Sequence, residues 1–246
     1  MAADEEADEL LAAPGDTAEL LARRVSGEPL AWVTGTHRFC GLDLAIRPGV
    51  YVPRWQSEQL AVAAARLLPP RGTAVDLATG AGAVAAVLQD ARPDARVLAT
   101  ELDPVAVACA RENGVDVREG DLFDPLPAEL ADRVDVIVGV LPYVPRDALH
   151  LLPRDVLGVE PLLALDGGGA GLELVARAVP ASTHWLAAGG WLLLEVGGDQ
   201  FTPVERLLRA AGFGDLGVLA DGDGDPRGIY GRRTGPAGDG PYASSR

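Results

Sequence analysis

Val75-Asp76-Leu77-Ala78-Thr79-Gly80-Ala81-Gly82 is the stretch on which the fold turns. An apolar run reads as a strand, Thr73–Ala78, which breaks at small residues and opens a helix over Ala83–Asp90. Glycines at such a junction let backbone come close to a ligand, and the helix N-terminus favours negative charge. Working outward, strands at Arg96–Glu101, Val115–Arg118, Val134–Val140 and Trp191–Val196 alternate with helices near Pro104–Glu112, Gly171–Val179 and Pro203–Ala211. Asp103 is a good N-cap for the helix near Pro104–Glu112 and Pro104 a good first residue. Strands alternating with helices predict an α/β protein: a Rossmann-like, doubly wound parallel sheet with helices on both faces. Leu216–Ala220 and Gly228–Gly231 read as a closing antiparallel hairpin.

Upstream the pattern differs. Residues 4–24 place leucines (Leu10, Leu11, Leu20, Leu21) at helical spacing among acids, broken at Pro14-Gly15, which predicts two short helices. Residues 28–53 are β-rich, with Trp32, Val33, Phe39, Leu42, Leu44, Ile46 and Val50 between turn residues, and predict a hairpin followed by a helix over 57–68. The expected division is 1–27 as a short helical segment, 28–68 as hairpin and linker helix, 69–233 as the ligand-binding domain and 234–246 as a flexible Gly/Pro/Ser tail.

Composition narrows the function. The 246 residues are 48% hydrophobic and 5% aromatic, enough for a large core built from Ala, Val and Leu. No run of about 18 apolar residues spans a membrane, and the acidic N-terminus is unlike a targeting peptide. Cys40 and Cys109 are too few for a disulfide framework or a four-thiolate zinc site, so a cytoplasmic protein with two reduced thiols and no metal is expected. A net charge of -15 argues against nucleic acid. All 21 basic residues are arginine, so lysine-based covalent catalysis is excluded. Asp221, Asp223 and Asp225 mimic a calcium loop without its closing Glu, and read as a solvated turn.

Gly80 to Ala85 also fits the dinucleotide pattern G-x-G-x-x-G/A. Asp76 argues against NAD, because an acid at the strand end would repel a pyrophosphate and suits a cationic ligand instead. Glu101, ending the next strand, is placed to hold two ribose hydroxyls. Asp121, after the third strand, is placed for the exocyclic amine of an adenine. Three carboxylates at three successive strand ends face one crevice.

With these stretches stand Gly27-Glu28-Pro29-Leu30-Ala31, Phe39-Cys40-Gly41-Leu42, Pro53-Arg54, Ser57-Glu58, Gly120-Asp121-Leu122-Phe123, Pro142-Tyr143, Glu160-Pro161, Ala164-Leu165, Gly171-Leu172, Glu195-Val196-Gly197 and Gln200. In this order the chain resembles the class I S-adenosylmethionine (SAM)-dependent methyltransferases, and among them the HemK/PrmC-type protein-(glutamine-N5) methyltransferases. The resemblance implies a seven-stranded sheet preceded by helices and a β-hairpin, SAM as methyl donor and S-adenosylhomocysteine as product. It implies Asp76, Gly80 and Gly82 around the methionine moiety, Glu101 at the ribose and Asp121 at the adenine. Arg54, Ala78, Thr79, Leu102, Leu122 and Val140 complete the expected cofactor set. The acceptor is expected beside Val140, Leu141, Pro142 and Tyr143, with His150 or Glu160 as candidate general base.

Three departures from the family pattern bear on function. Ala78 replaces the first glycine of the SAM loop. About thirty residues stand where the family has a helical N-terminal domain that helps recognise a release factor. Most important, the family's Asn-Pro-Pro-Tyr reads Val140-Leu141-Pro142-Tyr143. The family Asn accepts a hydrogen bond from the target NH2; Val140 cannot. Loss of one aimed polar group in a dry site costs on the order of 10²–10³ in rate. The expected acceptor is therefore a nitrogen, on a peptide glutamine or on a small molecule, and a SAM-binding protein without activity is the alternative. The leucines of residues 4–24 need a partner surface, either the hairpin around Trp32 and Phe39 at the acceptor side of the crevice or the second subunit of a homodimer.

Overall fold

In the computed structural model, residues 3–153, 155–221 and 224–234 are described. Two helices, α1 (Ala3–Ala12) and α2 (Thr17–Val25), precede a short α3 (Leu30–Thr34). The antiparallel hairpin β1 (Thr36–Phe39) and β2 (Leu42–Ala45) follows, then α4 (Glu58–Leu67). The alternating region is β3 (Thr73–Leu77), α5 (Ala83–Ala91), β4 (Arg96–Glu101), α6 (Pro104–Glu112), β5 (Val117–Glu119), β6 (Val134–Gly139), α7 (Glu173–Trp185), β7 (Leu186–Glu195), α8 (Phe201–Ala210), β8 (Phe213–Ala220) and β9 (Pro226–Arg233).

The last seven strands form one sheet in the order β5-β4-β3-β6-β7-β9-β8. The first five are parallel; β9 runs antiparallel to both β7 and β8. Strand order reverses between β3 and β6, the place where a doubly wound sheet opens a ligand crevice. Apolar layers cover both faces: one packs α4, α5, α6 and the hairpin onto the sheet, the other α7 and α8.

Asp103 accepts a hydrogen bond from the Val105 N–H at 2.8 Å and caps α6 ahead of Pro104, as its sequence predicts. Helix α7 runs past its predicted end at Val179 and contains Pro180. Its buried face (Val175, Ala178, Val179, Trp185) continues beyond the proline and outweighs one lost backbone bond.

Trp32 and Val33 are helical rather than extended, which corrects the β-rich reading of that stretch. Pro29 precedes the single turn and Gly35, at φ +79°, ends it; these caps outweigh strand-favouring side chains. Trp32 sinks into the main core and its indole N–H donates to Val50 O at 2.8 Å. Leu10 and Leu20 pack on Val33, so α1 and α2 cover α3, not the hairpin around Phe39. No residue of α1, α2 or α3 reaches the large cavity described below. The tail beyond Thr234 and Asp223 lie outside the described residues. Asp221 is not in a solvated turn: it is buried, accepts the Asp225 N–H at 3.0 Å and pairs with Arg227 at 2.7 Å.

Candidate active site

A cavity of about 780 Å³ opens at the carboxyl edge of the sheet. All five parallel strands contribute: Ala78 and Gly80 after β3, Glu101 and Leu102 at β4, Asp121 and Leu122 after β5, Val140 to Tyr143 after β6, and Glu195 at β7. The segment between β2 and α4 closes one side with Tyr51, Arg54 and Gln56.

The turn after β3 is built from within. Asp76 is 1% exposed and is absent from the cavity wall. Its Oδ2 accepts the Thr79 hydroxyl and, at 3.1 Å, the Ala85 N–H. Burial, opposed by these bonds, pushes its carboxyl up to about 7. The expected contact of Asp76 with a cationic ligand is thus corrected: the carboxylate ties the turn to α5, as Thr79 does. Gly82 also stands back from the cavity. It lies at φ +86°, and a Cβ there would come within 2.7 Å of Val115, so it is glycine for packing of α5 on its neighbours. Ala78 takes the left-handed conformation at φ +51°, a strain that glycine would not carry.

Glu101 and Asp121 do line the cavity. Glu101 Oε2 accepts the Gly80 N–H at 2.8 Å, and Oε1 accepts Leu102 N–H at 2.8 Å and Asp103 N–H at 2.9 Å. One carboxylate thereby joins the β3 turn to the β4 turn and holds its face toward the crevice. Asp121 Oδ2 accepts from Arg177 at 2.6 Å, an ion pair from α7 that sequence reading missed.

The other end is formed by Val140-Leu141-Pro142-Tyr143. Gln200 holds this turn: its Nε2 donates to Tyr143 O at 2.7 Å and to Ala170 O at 3.2 Å. Gly171 passes so close that a Cβ would meet Tyr143 O at 2.2 Å. The matching of Gly171 and Gln200 to the family pattern has this structural reason. Around Tyr143 gather Tyr51, Arg54, Glu160 and Glu195. The Arg54 guanidinium lies 4.9 Å from the Tyr51 ring centroid and pairs with buried Glu160. Burial pushes the Tyr51 hydroxyl up to about 12, and also raises the Tyr143 hydroxyl and the Glu160 and Glu195 carboxyls.

Neither candidate base stands in the cavity wall. His150 is exposed on a 3-10 turn over Arg146–Leu151 and does not line the cavity. Glu160 serves as counter-charge to Arg54. Among the described residues, no helix is long and apolar enough to cross a membrane.

Residues 56–138 match the family model for the methyltransferase small domain. A methyltransferase from Pyrococcus furiosus superposes with a TM-score of 0.59 at 18% identity, covering 88% of this chain and 99% of that one. The fold and the crevice at its switch point are those of a class I SAM-dependent methyltransferase. The release factor glutamine methyltransferase of Geobacter sulfurreducens is 37% identical over 219 residues, 87% of this chain and 76% of the relative. That of Escherichia coli is 33% identical over 221 residues, 87% and 78%. The chain belongs to this HemK/PrmC-type family.

Proposed function

We propose that this protein transfers the methyl group of SAM to the side-chain carboxamide nitrogen of a glutamine in a protein, a release factor being the first substrate to test. The observation that carries the reading is that one cavity is lined both by Glu101 and Asp121, at the ends of β4 and β5, and by Val140 to Tyr143 after β6. In this assignment Glu101 takes the ribose hydroxyls and Asp121 the adenine amine. Leu102 and Leu122 wall the base, while Ala78 and Gly80 flank the methionine end. SAM supplies an electrophilic methyl on a sulfonium. The chain positions the acceptor against it and keeps water out. Leu141 O remains as one acceptor for the target NH2, and the Tyr143 ring is a wall for a flat carboxamide.

A protein acceptor also suits the rim. Leu163 lines the cavity and Trp55, Leu151 and Leu162 are chain neighbours of wall residues; each is more than half exposed, apolar surface of the kind that a macromolecular contact covers. In the same reading residues 69–233 are the methyl-transfer unit, 28–68 close its acceptor side, and 1–27 brace α3.

The test is incubation with SAM and an intact release factor, followed by mass spectrometry of the tryptic glutamine peptide. The expected result is a gain of one methyl on the glutamine. A modified small molecule with an untouched release factor would move the acceptor to the small-molecule class. SAM binding with no transfer to either would mark a lapsed enzyme.

A further inference from the structure

The family's Asn side chain is gone at Val140, yet the acceptor end is rich in acceptor atoms without partners. Among the described residues, Gln56 Oε1 and Glu195 Oε2, both on wall residues, are buried and accept no hydrogen bond; Glu160 Oε2, behind the wall, is also unpaired although its Oε1 holds Arg54. Glu195 is 4% exposed and belongs to the cavity wall. The Ser57 and Tyr143 hydroxyls lie close enough to favour its charged form, but neither completes a hydrogen bond to Oε2. A buried carboxylate oxygen left unpaired in a cavity wall is costly unless a ligand supplies the donor.

Its position is specific. Strands β6 and β7 are parallel, and Gly139 pairs with Leu194. Val140 is the first residue beyond β6 and Glu195 the last of β7, one step past that pair on either side, and both belong to the cavity wall. Adjacent strands lie about 4.8 Å apart and paired residues share a face. The carboxylate therefore arises beside the residue that replaced the Asn, at the same level of the sheet edge.

We propose, on the reading that a glutamine NH2 is the acceptor, that the Glu195 carboxylate replaces the missing Asn as the hydrogen-bond acceptor that aims this nitrogen, and receives its proton. In the step the N–CH3 bond forms as the CH3–S bond breaks. The S–C electron pair stays on sulfur, which becomes a neutral thioether. The nitrogen loses one N–H proton to Glu195, and water carries it away. The groups that face Glu195 from packed elements are Tyr143 after β6, Ser57 before α4, Tyr51 on the wall and Arg227 on β9. Burial raises the Glu195 carboxyl, which makes it a stronger base than an exposed one; the nearby Ser57 and Tyr143 hydroxyls, and after them Arg227, keep that rise in check.

The experiment measures methyl transfer to a release factor across pH, with SAM affinity and melting temperature as controls. Glu195→Ala is expected to lower kcat on the order of 10²–10³, the range for one aimed polar group, with SAM affinity within about twofold. Wild-type kcat is expected to rise with pH through a transition above the ordinary carboxylate range, and Glu195→Gln to lack that transition. Adding Val140→Asn to Glu195→Ala is expected to restore part of the rate, because it returns an acceptor to the neighbouring strand. Wild-type rates and pH profile in Glu195→Gln and Glu195→Ala would overturn the role of Glu195 while leaving glutamine transfer intact. A lost rate with a lowered melting temperature and no rescue by Val140→Asn would also overturn it, in favour of a structural role. Absence of wild-type transfer to glutamine would overturn both readings together.

Discussion

At the β3–β4 edge the carboxylates of Asp76 and Glu101 are taken up by backbone N–H groups and the Thr79 hydroxyl, whereas around the β6–β7 edge Glu195 and the nearby Glu160 and Gln56 are left partly unpaired. Asp76 binds Thr79 and Ala85, and Glu101 binds three backbone N–H groups. Glu195, Glu160 and Gln56 keep unpartnered oxygens. The first end is rigid before any ligand arrives. The second has donors still to find. Preorganisation suits a cofactor that is the same at every turnover. Open acceptors suit a nitrogen that must be aimed and then stripped of a proton.

The largest expected effect tests the preorganised end. Glu101→Ala removes the proposed ribose contact and releases the Gly80 N–H at once. Hydrogen bonds to a charged group contribute about 1.5–3 kcal/mol each, so loss of about 3 kcal/mol, roughly 100-fold in SAM affinity by calorimetry, is expected. An unchanged affinity would mean that the two ends do not divide cofactor from acceptor as assigned.

A smaller effect separates structural from ligand-binding carboxylates. The Asp76 carboxyl is raised from 3.8 to about 7 in the folded chain. The folded state then binds more protons than the unfolded state between those values, so stability falls as pH rises through that window. The fall expected between pH 5 and pH 7 is about 2 kcal/mol, read as a drop of about 4–8 °C in melting temperature. Asp76→Asn keeps an oxygen for Thr79 and Ala85 and should flatten the slope while SAM still binds. A SAM affinity that collapses in this variant would restore the ligand contact read from the sequence.

That misreading shows where sequence stops. The α/β alternation, the antiparallel closing hairpin and the placing of Glu101 and Asp121 were all legible, because strand ends are fixed by hydrophobic period and turn residues. Asp76 was legible as an acid at a strand end, but not the way its side chain turns, which depends on Thr79 and Ala85 folding back over it. His150 sits in the right segment, next to wall residues such as Arg146 and Leu152, but is exposed and does not line the cavity. Glu195 and Gln200 matched a pattern without a role, since the register of β6 on β7 and the closeness of Gly171 to Tyr143 exist only in three dimensions. Trp32 was misplaced because caps at Pro29 and Gly35 overrode its strand preference.

The smallest expected effect concerns Ala78, which brings strain into the end that is otherwise most settled. A non-glycine residue in the left-handed region costs about 1–2 kcal/mol, and Ala78 sits there at φ +51°. Glycine would relieve that strain but lose about 0.5–1 kcal/mol through the greater freedom of its unfolded chain. Ala78→Gly should therefore stabilise the protein by about 0.5–1 kcal/mol, a rise of about 1–4 °C in melting temperature. Because Glu101 already ties Gly80 to the β4 turn, the extra backbone freedom at residue 78 should not loosen the loop, and SAM affinity should stay within about twofold. A marked fall in affinity would show that the methyl group of Ala78 helps hold the turn in its ligand-ready shape. The cofactor end would then owe part of its preorganisation to a strained residue, and not to the carboxylate bonds alone.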